Sequence, residues 1–134
     1  MAIKQAIRDL ILGDSSLLAL LGNRVSPRIS KTGDTLPRLA YLRTSLEQGI
    51  YLVGTSTKRD DDFNIIIDSN SSDEADLIAS DLRALFQSVA STVSNGVTIR
   101  RIYVNPQTES HYYPEGREKP IYQILIPIGV SFFG

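Results

Sequence analysis

Between Ser71 and Val89 the chain carries a pattern that only a helix satisfies. Ser71-Ser72-Asp73-Glu74 matches a capping box, in which the Ser71 hydroxyl accepts from the Glu74 amide and the Glu74 carboxylate reaches back. Ala75, Ile78, Leu82, Leu85, Phe86 and Val89 then trace one face, and Asp76, Ser80, Arg83 and Gln87 trace the opposite one. Negative charge at Asp73, Glu74 and Asp76 complements the positive end of the helix dipole. The spacing predicts a helix from Ser72 to about Ala90, ending before the turn Ser94-Asn95-Gly96. Its apolar stripe is wide enough to pack across a sheet.

The flanking segments supply that sheet. Ahead of the helix, Arg38 to Glu47 alternates as a strand, and Asp61 to Asp68 places Phe63, Ile65 and Ile67 on one face. Behind it, Val97 to Val104 alternates, and Ile121 to Phe132 puts Tyr122, Ile124, Ile126, Ile128, Val130 and Phe132 on one side. Pro127 removes a ladder donor midway, which predicts an edge position or a bulge there. At the start, Ile3, Ile7, Leu10 and Ile11 form a helical stripe. Gly13 stops that helix, and Asp14 or Ser15 caps a short second one from Ser16 to Leu21. Arg24 to Ile29 reads as extended, with Pro27 placing it at an edge. The expected fold is thus α+β over one domain, residues 1–134. It is an antiparallel, four-stranded or slightly larger sheet of two hairpins, packed against a long central helix, with a short N-terminal helical pair. Two long connections, Gln48 to Arg59 and Asn105 to Lys119, are left without periodicity, and connections of that length in a compact domain are usually functional or disordered.

Composition narrows the function classes. The 134 residues carry 14 basic and 15 acidic side chains, a net charge of −1, so no global basic field exists to hold a nucleic-acid backbone. There are no cysteines, which excludes disulfides, thiolate metal sites and a cysteine nucleophile. Charge within the first turns speaks against a signal peptide, and the longest apolar stretch is too short to span a bilayer as a helix. The expectation is a protein made and used in a reducing aqueous compartment.

Candidate chemistry is sparse. Asp60, Asp61 and Asp62 are consecutive, so they alternate sides at the start of a strand, and no glutamate follows at calcium-loop spacing. They are expected to be solvated, to pair with Lys58 and Arg59, or to lie in an interface. His111 is the single histidine, in the loop sequence Ser110-His111-Tyr112-Tyr113-Pro114, without a partner for acid–base work. Alternation places Arg100 and Arg101 on opposite faces, which spoils a basic platform for nucleic acid beside Tyr103. Tyr112-Tyr113 and Ile50-Tyr51-Leu52-Val53 put apolar groups at the tips of long connections. Such residues either cover the domain's own core or complete a subunit interface. No catalytic, cofactor or metal residues are assigned. The candidate interface residues are Tyr51, Lys58, Arg59, Asp60, Asp61, Asp62, His111, Tyr112 and Tyr113.

The arrangement resembles the tail-completion family of long-tailed phages and prophages, whose members terminate the tail tube or join it to the head. Leu12-Gly13-Asp14-Ser15-Ser16-Leu17-Leu18-Ala19-Leu20-Leu21-Gly22-Asn23-Arg24-Val25 is similar to the family's opening stretch, and Leu36 to Ser45 to its proline-led first strand. Asp62 to Phe86 resembles its strand, small-polar turn and helix, and Arg117 to Leu125 its loop and final strand. The isoleucine-rich final strand with Pro127 and the loop from Ser45 to Asp60 depart from that pattern. The resemblance implies a non-enzymatic virion protein, located in the tail or neck and made in the bacterial cytoplasm. It implies a ring, commonly six-fold, contacting the tail tube protein and the head connector, without a cofactor, a membrane or a specific nucleic-acid sequence. A connector adaptor or stopper of the phage neck is the alternative, followed by a small nucleic-acid-binding domain.

Overall fold

The computed structural model describes residues 2–27, 36–48, 58–94, 96–113, 116 and 118–133. Among these described residues three helices and seven strands follow in the order α1 (Ala2–Leu12), α2 (Ser15–Leu21), β1 (Val25–Ser26), β2 (Arg38–Gln48), β3 (Lys58–Ser69), α3 (Ser72–Ser88), β4 (Thr92–Ser94), β5 (Val97–Val104), β6 (Thr108–Tyr112) and β7 (Ile121–Phe133).

The local signals act where the residues place them. Asp14 caps α2 by accepting from the Ser16 and Leu17 amides at 3.0 and 3.2 Å. At α3 the Ser71 hydroxyl accepts from the Glu74 amide at 3.4 Å, but the Glu74 carboxylate does not return directly. It accepts from the Ser69 hydroxyl at 2.6 Å, and the Ser69 oxygen takes the Ser71 amide at 3.2 Å, so the reciprocal half of the box runs through a buried serine. Replacing Ser71 by alanine is expected to cost about 1 kcal/mol, measurable as a lower urea midpoint with an unchanged slope.

The sheet runs β1-β2-β3-β7-β5-β4, with β6 also paired to β7. This corrects the expected four-stranded sheet of two hairpins around a long central helix. The sheet has seven strands, and the 17-residue α3 is one of three helices, ending at Ser88 so that Thr92–Ser94 is free to pair with β5. The second long connection is also corrected. Thr108–Tyr112 within it is a strand, although every one of its residues is exposed, because the free side of β7 offers it a ladder from Ile121 to Leu125.

Pro127 lies neither at an edge nor in a bulge. β7 is the central strand, paired from Tyr122 to Phe133 with β3 on one side and with β5 and β6 in tandem on the other. The two tandem partners leave a gap at Ile126 and Pro127. The Pro127 carbonyl accepts from the Asn105 amide at 2.9 Å, on the side of that gap. In an antiparallel strand a residue's N and carbonyl point to the same side, so the missing N–H falls where no ladder bond is required.

The helices cover one face of the sheet. Leu39, Tyr41, Phe63, Ile65, Ile67, Ile124, Ile126, Ile128 and Val130 meet Ile7, Ile11, Leu17, Leu21, Ile78, Leu82 and Phe86 in a single core. Arg24 locks the helical pair to the sheet, donating from Nε to the Pro37 carbonyl at 2.7 Å and from Nη2 to the Leu20 carbonyl at 3.2 Å. Arg83 does the same for α3, donating to Gln107 Oε1 at 2.9 Å and to the Asn105 carbonyl at 3.2 Å.

Candidate assembly surface

The face of the sheet opposite the helices carries an apolar centre. Ala40, Ile66 and Leu125 form one cross-strand row, with Leu42, Asn64 and Pro127 in the next. Ala40 is buried and the other five are half-buried. Antiparallel sheets with one solvated face usually alternate apolar-in, polar-out. β3 and β7 break that rule over Ile65-Ile66-Ile67 and Ile124-Leu125-Ile126-Pro127.

A polar cluster closes one end of this open face. Arg38 Nε lies 3.0 Å from Asp68 Oδ2, and Gln123 Nε2 donates to Asp68 Oδ1 at 2.9 Å. The Tyr112 hydroxyl stands 3.4 Å from Arg38 Nη2 and 3.5 Å from Asp68 Oδ2, tethering the end of β6 to β2 and β3. Burial raises the Tyr112 pKa, and the Asp68 carboxylate adds to this against the opposing pull of Arg38. Tyr41 is raised too, mainly by burial, with Arg8 acting against it. For a tyrosine so raised, the folded state holds its proton more tightly than the unfolded chain. The associated stability is complete below the unfolded value near 10.0 and is lost as pH rises from there through the raised folded value. Ultraviolet titration of the folded protein should accordingly show Tyr41 and Tyr112 ionising after ordinary tyrosines, and Asp68→Asn should bring Tyr112 down.

The other end of the open face is charged and aromatic. Asp62, Gly129 and Tyr103 lie in one row. A Cβ on Gly129 would sit 3.4 Å from Asp62 Oδ1 and 3.9 Å from the Tyr103 ring, which places both side chains on this face. The Arg101 guanidinium stacks over Tyr103, 4.9 Å from the ring centroid. Contrary to strict alternation, Arg100 and Arg101 are both exposed. A register shift between Ile99 and Arg101 adds one residue, so Ile99 and Ile102 both stay buried while the two arginines between them face solvent.

The predicted interface residues do not form one patch. The Asp60-Asp61-Asp62 run is divided, and the expectation that all three are solvated or interfacial is corrected for Asp61. Its side chain is 1% exposed on the helix-covered side, paired with Arg43 at 3.0 Å, and Arg43 also lies over the Phe63 ring at 5.7 Å. Asp60 is half-buried and Asp62 exposed. Among the described residues no group of three or more histidines and acids is placed to hold a metal. Lys58 extends β3 opposite Phe133 and Arg59 opposite Gln48 and Phe132, while their side chains and the whole of Tyr51 lie outside the described residues. His111 sits on β6 with ring contacts to Tyr113 at 6.1 Å and Tyr122 at 6.2 Å. It pairs with Tyr122, whereas Asp60 pairs with Ser131, so the two groups are roughly 30 Å apart along β7 at about 3.3 Å per residue.

Sequence reasoning passed over Arg38, Asp68 and Gln123, which are far apart in the chain and meet only through strand pairing. It also passed over Ile66 and Leu125. Their signal was present as apolar residues at the outward positions of otherwise alternating strands.

No helix among the described residues is long and apolar enough to cross a membrane. No protein-family model matches the chain, and no curated protein matches its sequence. The fold does recur among solved structures. A chain of the virion of a native gene transfer agent (GTA) particle superposes with a TM-score of 0.67 at 15% identity, over 99% of this chain and 96% of that one. The architecture, from the helical pair to the central last strand, is therefore that of a known virion component's fold.

Proposed function

We propose that this protein is a structural component of a phage-like particle, one that caps the completed tail tube and helps join the tail to the head. The observation that carries this is the open apolar sheet face, found in a fold that matches a gene transfer agent virion chain over almost its full length. A half-buried apolar surface rimmed by charge and aromatics is material for protein–protein contact rather than for catalysis. Ring formation needs two different complementary patches on each copy, and the open face and the outer helix surface lie on opposite sides of the domain. The residues Asp60, Asp62, His111, Tyr112 and Tyr113 would then serve contacts at the two ends of the sheet.

The test is removal of the protein from an assembling particle, followed by electron microscopy. Tail tubes of abnormal length that fail to join heads are the expected result. Tails of normal length that still join heads would sink the assignment. Pull-down against isolated tails and against DNA-filled heads separates a tail cap from a connector adaptor or stopper, since the cap is retained by tails.

A further inference from the structure

We infer that β6 is a strap that opens from β7 as a unit while the rest of the sheet stays closed, and that the Tyr112 hydroxyl, seated on the Arg38–Asp68 pair, is its catch. Every residue from Thr108 to Tyr112 is exposed, and none of Thr108, Glu109, Ser110 and His111 is apolar. Glu109 stands opposite Ile124, on the side of the sheet that the helices cover, so even an inward position of this strand adds nothing to the core. An open cleft lies between β6 and α3, lined by Ala75 and Asp76 on the helix and by Glu109 and Ser110 on the strand.

What holds β6 is therefore its ladder to β7 and the polar contacts at its two ends. Ordering a strand costs conformational entropy, and exposed ladder bonds exchanged for bonds to water return little net free energy. The end contacts decide the balance. At the start, Arg83 of α3 donates to Gln107 Oε1 and to the Asn105 carbonyl, and Gln107 Nε2 donates to Glu109 at 3.1 Å, which anchors a hinge on the helix. At the end, the Tyr112 hydroxyl donates to Asp68 Oδ2 and accepts from Arg38 Nη2. Asp68 keeps Arg38 and Gln123 as partners when that hydroxyl leaves, so the catch releases without stranding a buried charge. The contact of the His111 ring with Tyr122 adds to the closed state.

Opening acts on one side of β7. The Pro127 carbonyl points to the side of β5 and β6. In an antiparallel strand a residue's N–H and carbonyl share one side, and those of its neighbours point to the other. Ile121, Gln123 and Leu125 therefore aim their backbone groups at β6, whereas Ile124 and Ile126 aim theirs at β3. The open strap bares the first set and leaves the second paired. It turns part of the central strand into a short free edge, a row of backbone groups of the kind that templates pairing with another strand. Closed, it covers that edge.

The test is amide hydrogen exchange of the full chain, read residue by residue by NMR. In the wild type the amides of Gln123 and Leu125 should exchange faster than those of Ile124 and Ile126. Low urea should leave the faster set unchanged, because so small an opening exposes little surface. Tyr112→Phe should speed Gln123 and Leu125 about two- to tenfold, the effect of one lost hydrogen bond, while Ile124 and Ile126 keep their wild-type rates. The chain has no cysteine, so His111→Cys together with Tyr122→Cys introduces a single disulfide. It would bridge a non-hydrogen-bonded pair, where Cα atoms about 4.5 Å apart suit the bond. Oxidised, this form should slow Gln123 and Leu125 to the rates of their neighbours, and reduction should release them. If both sets of amides exchange together with one urea dependence, β6 opens only with the whole sheet and the inference falls. It falls as well if Tyr112→Phe leaves Gln123 and Leu125 unchanged, or if the closed disulfide does.

Discussion

Asp61→Ala is expected to destabilise the protein by about 3–5 kcal/mol, because it leaves the Arg43 charge in a site built for a pair. The Asp61 side chain is 1% exposed and that of Arg43 14%, and they meet at 3.0 Å beside the Phe63 ring. Burying two charges costs several kcal/mol each in lost hydration, and their attraction offsets this only while both are present. The double variant R43M/D61L removes the charges together and keeps most of the volume. It should recover most of the loss, so that the two single substitutions are strongly non-additive. Urea unfolding of the four proteins measures this directly. Additive losses would show that Asp61 acts through something other than Arg43.

Phe86→Ala should cost about 3–5 kcal/mol, by loss of transfer free energy and by the cavity it leaves. Phe86 is fully buried on the last turn of α3, in the core that joins the helix to β3, β5 and β7. The aromatic ring is too large for its neighbours to fill by rearrangement, since Ile78 and Leu82 are anchored on the same helix. Leu77→Ala on the outer stripe is the control: its side chain is 51% exposed, so the change should stay within about 0.5 kcal/mol for the isolated chain. A comparable loss at both positions would mean that α3 packs with a different face inward.

The contrast between Phe86 and Leu77 shows how much was legible. The helical period of α3 separates Ile78, Leu82 and Phe86 from Asp73, Asp76 and Ser80, and the burial follows that division. Likewise the inward sets of β3 and β7 were readable from their two-residue period, because alternation is a property of a single strand. Strand order was not readable. Whether β7 lies in the centre or at the edge depends on which strands find it, and Pro127 is tolerated centrally only because β5 and β6 happen to part beside it. β6 was missed for a related reason. Thr108 to Tyr112 buries nothing of its own, and its extended state is imposed by the ladder on β7.

The site was less legible than the fold. Asp60, Asp61 and Asp62 look alike in the chain, yet the strand turns Asp61 inward to Arg43 and leaves Asp62 beside Tyr103. Arg100 and Arg101 appear to oppose each other until an extra residue in β5 exposes both. Arg38, Asp68, Gln123 and Tyr112 share no motif, and only the pairing of β2, β3, β7 and β6 assembles them.

By itself the sequence determined the α3 helix, its cap at Ser71 and its inward stripe, because these depend on residues within a few turns of one another. It also settled the inward faces of the main strands. Tertiary structure alone decided that, among the described residues, three helices share one side of a seven-stranded sheet and no helix covers the other. That face is made of residues contributed by strands up to 85 positions apart, Ala40 and Leu125 among them, so no local pattern encodes it. Its exposure follows from where the helices pack, which is a property of the whole core.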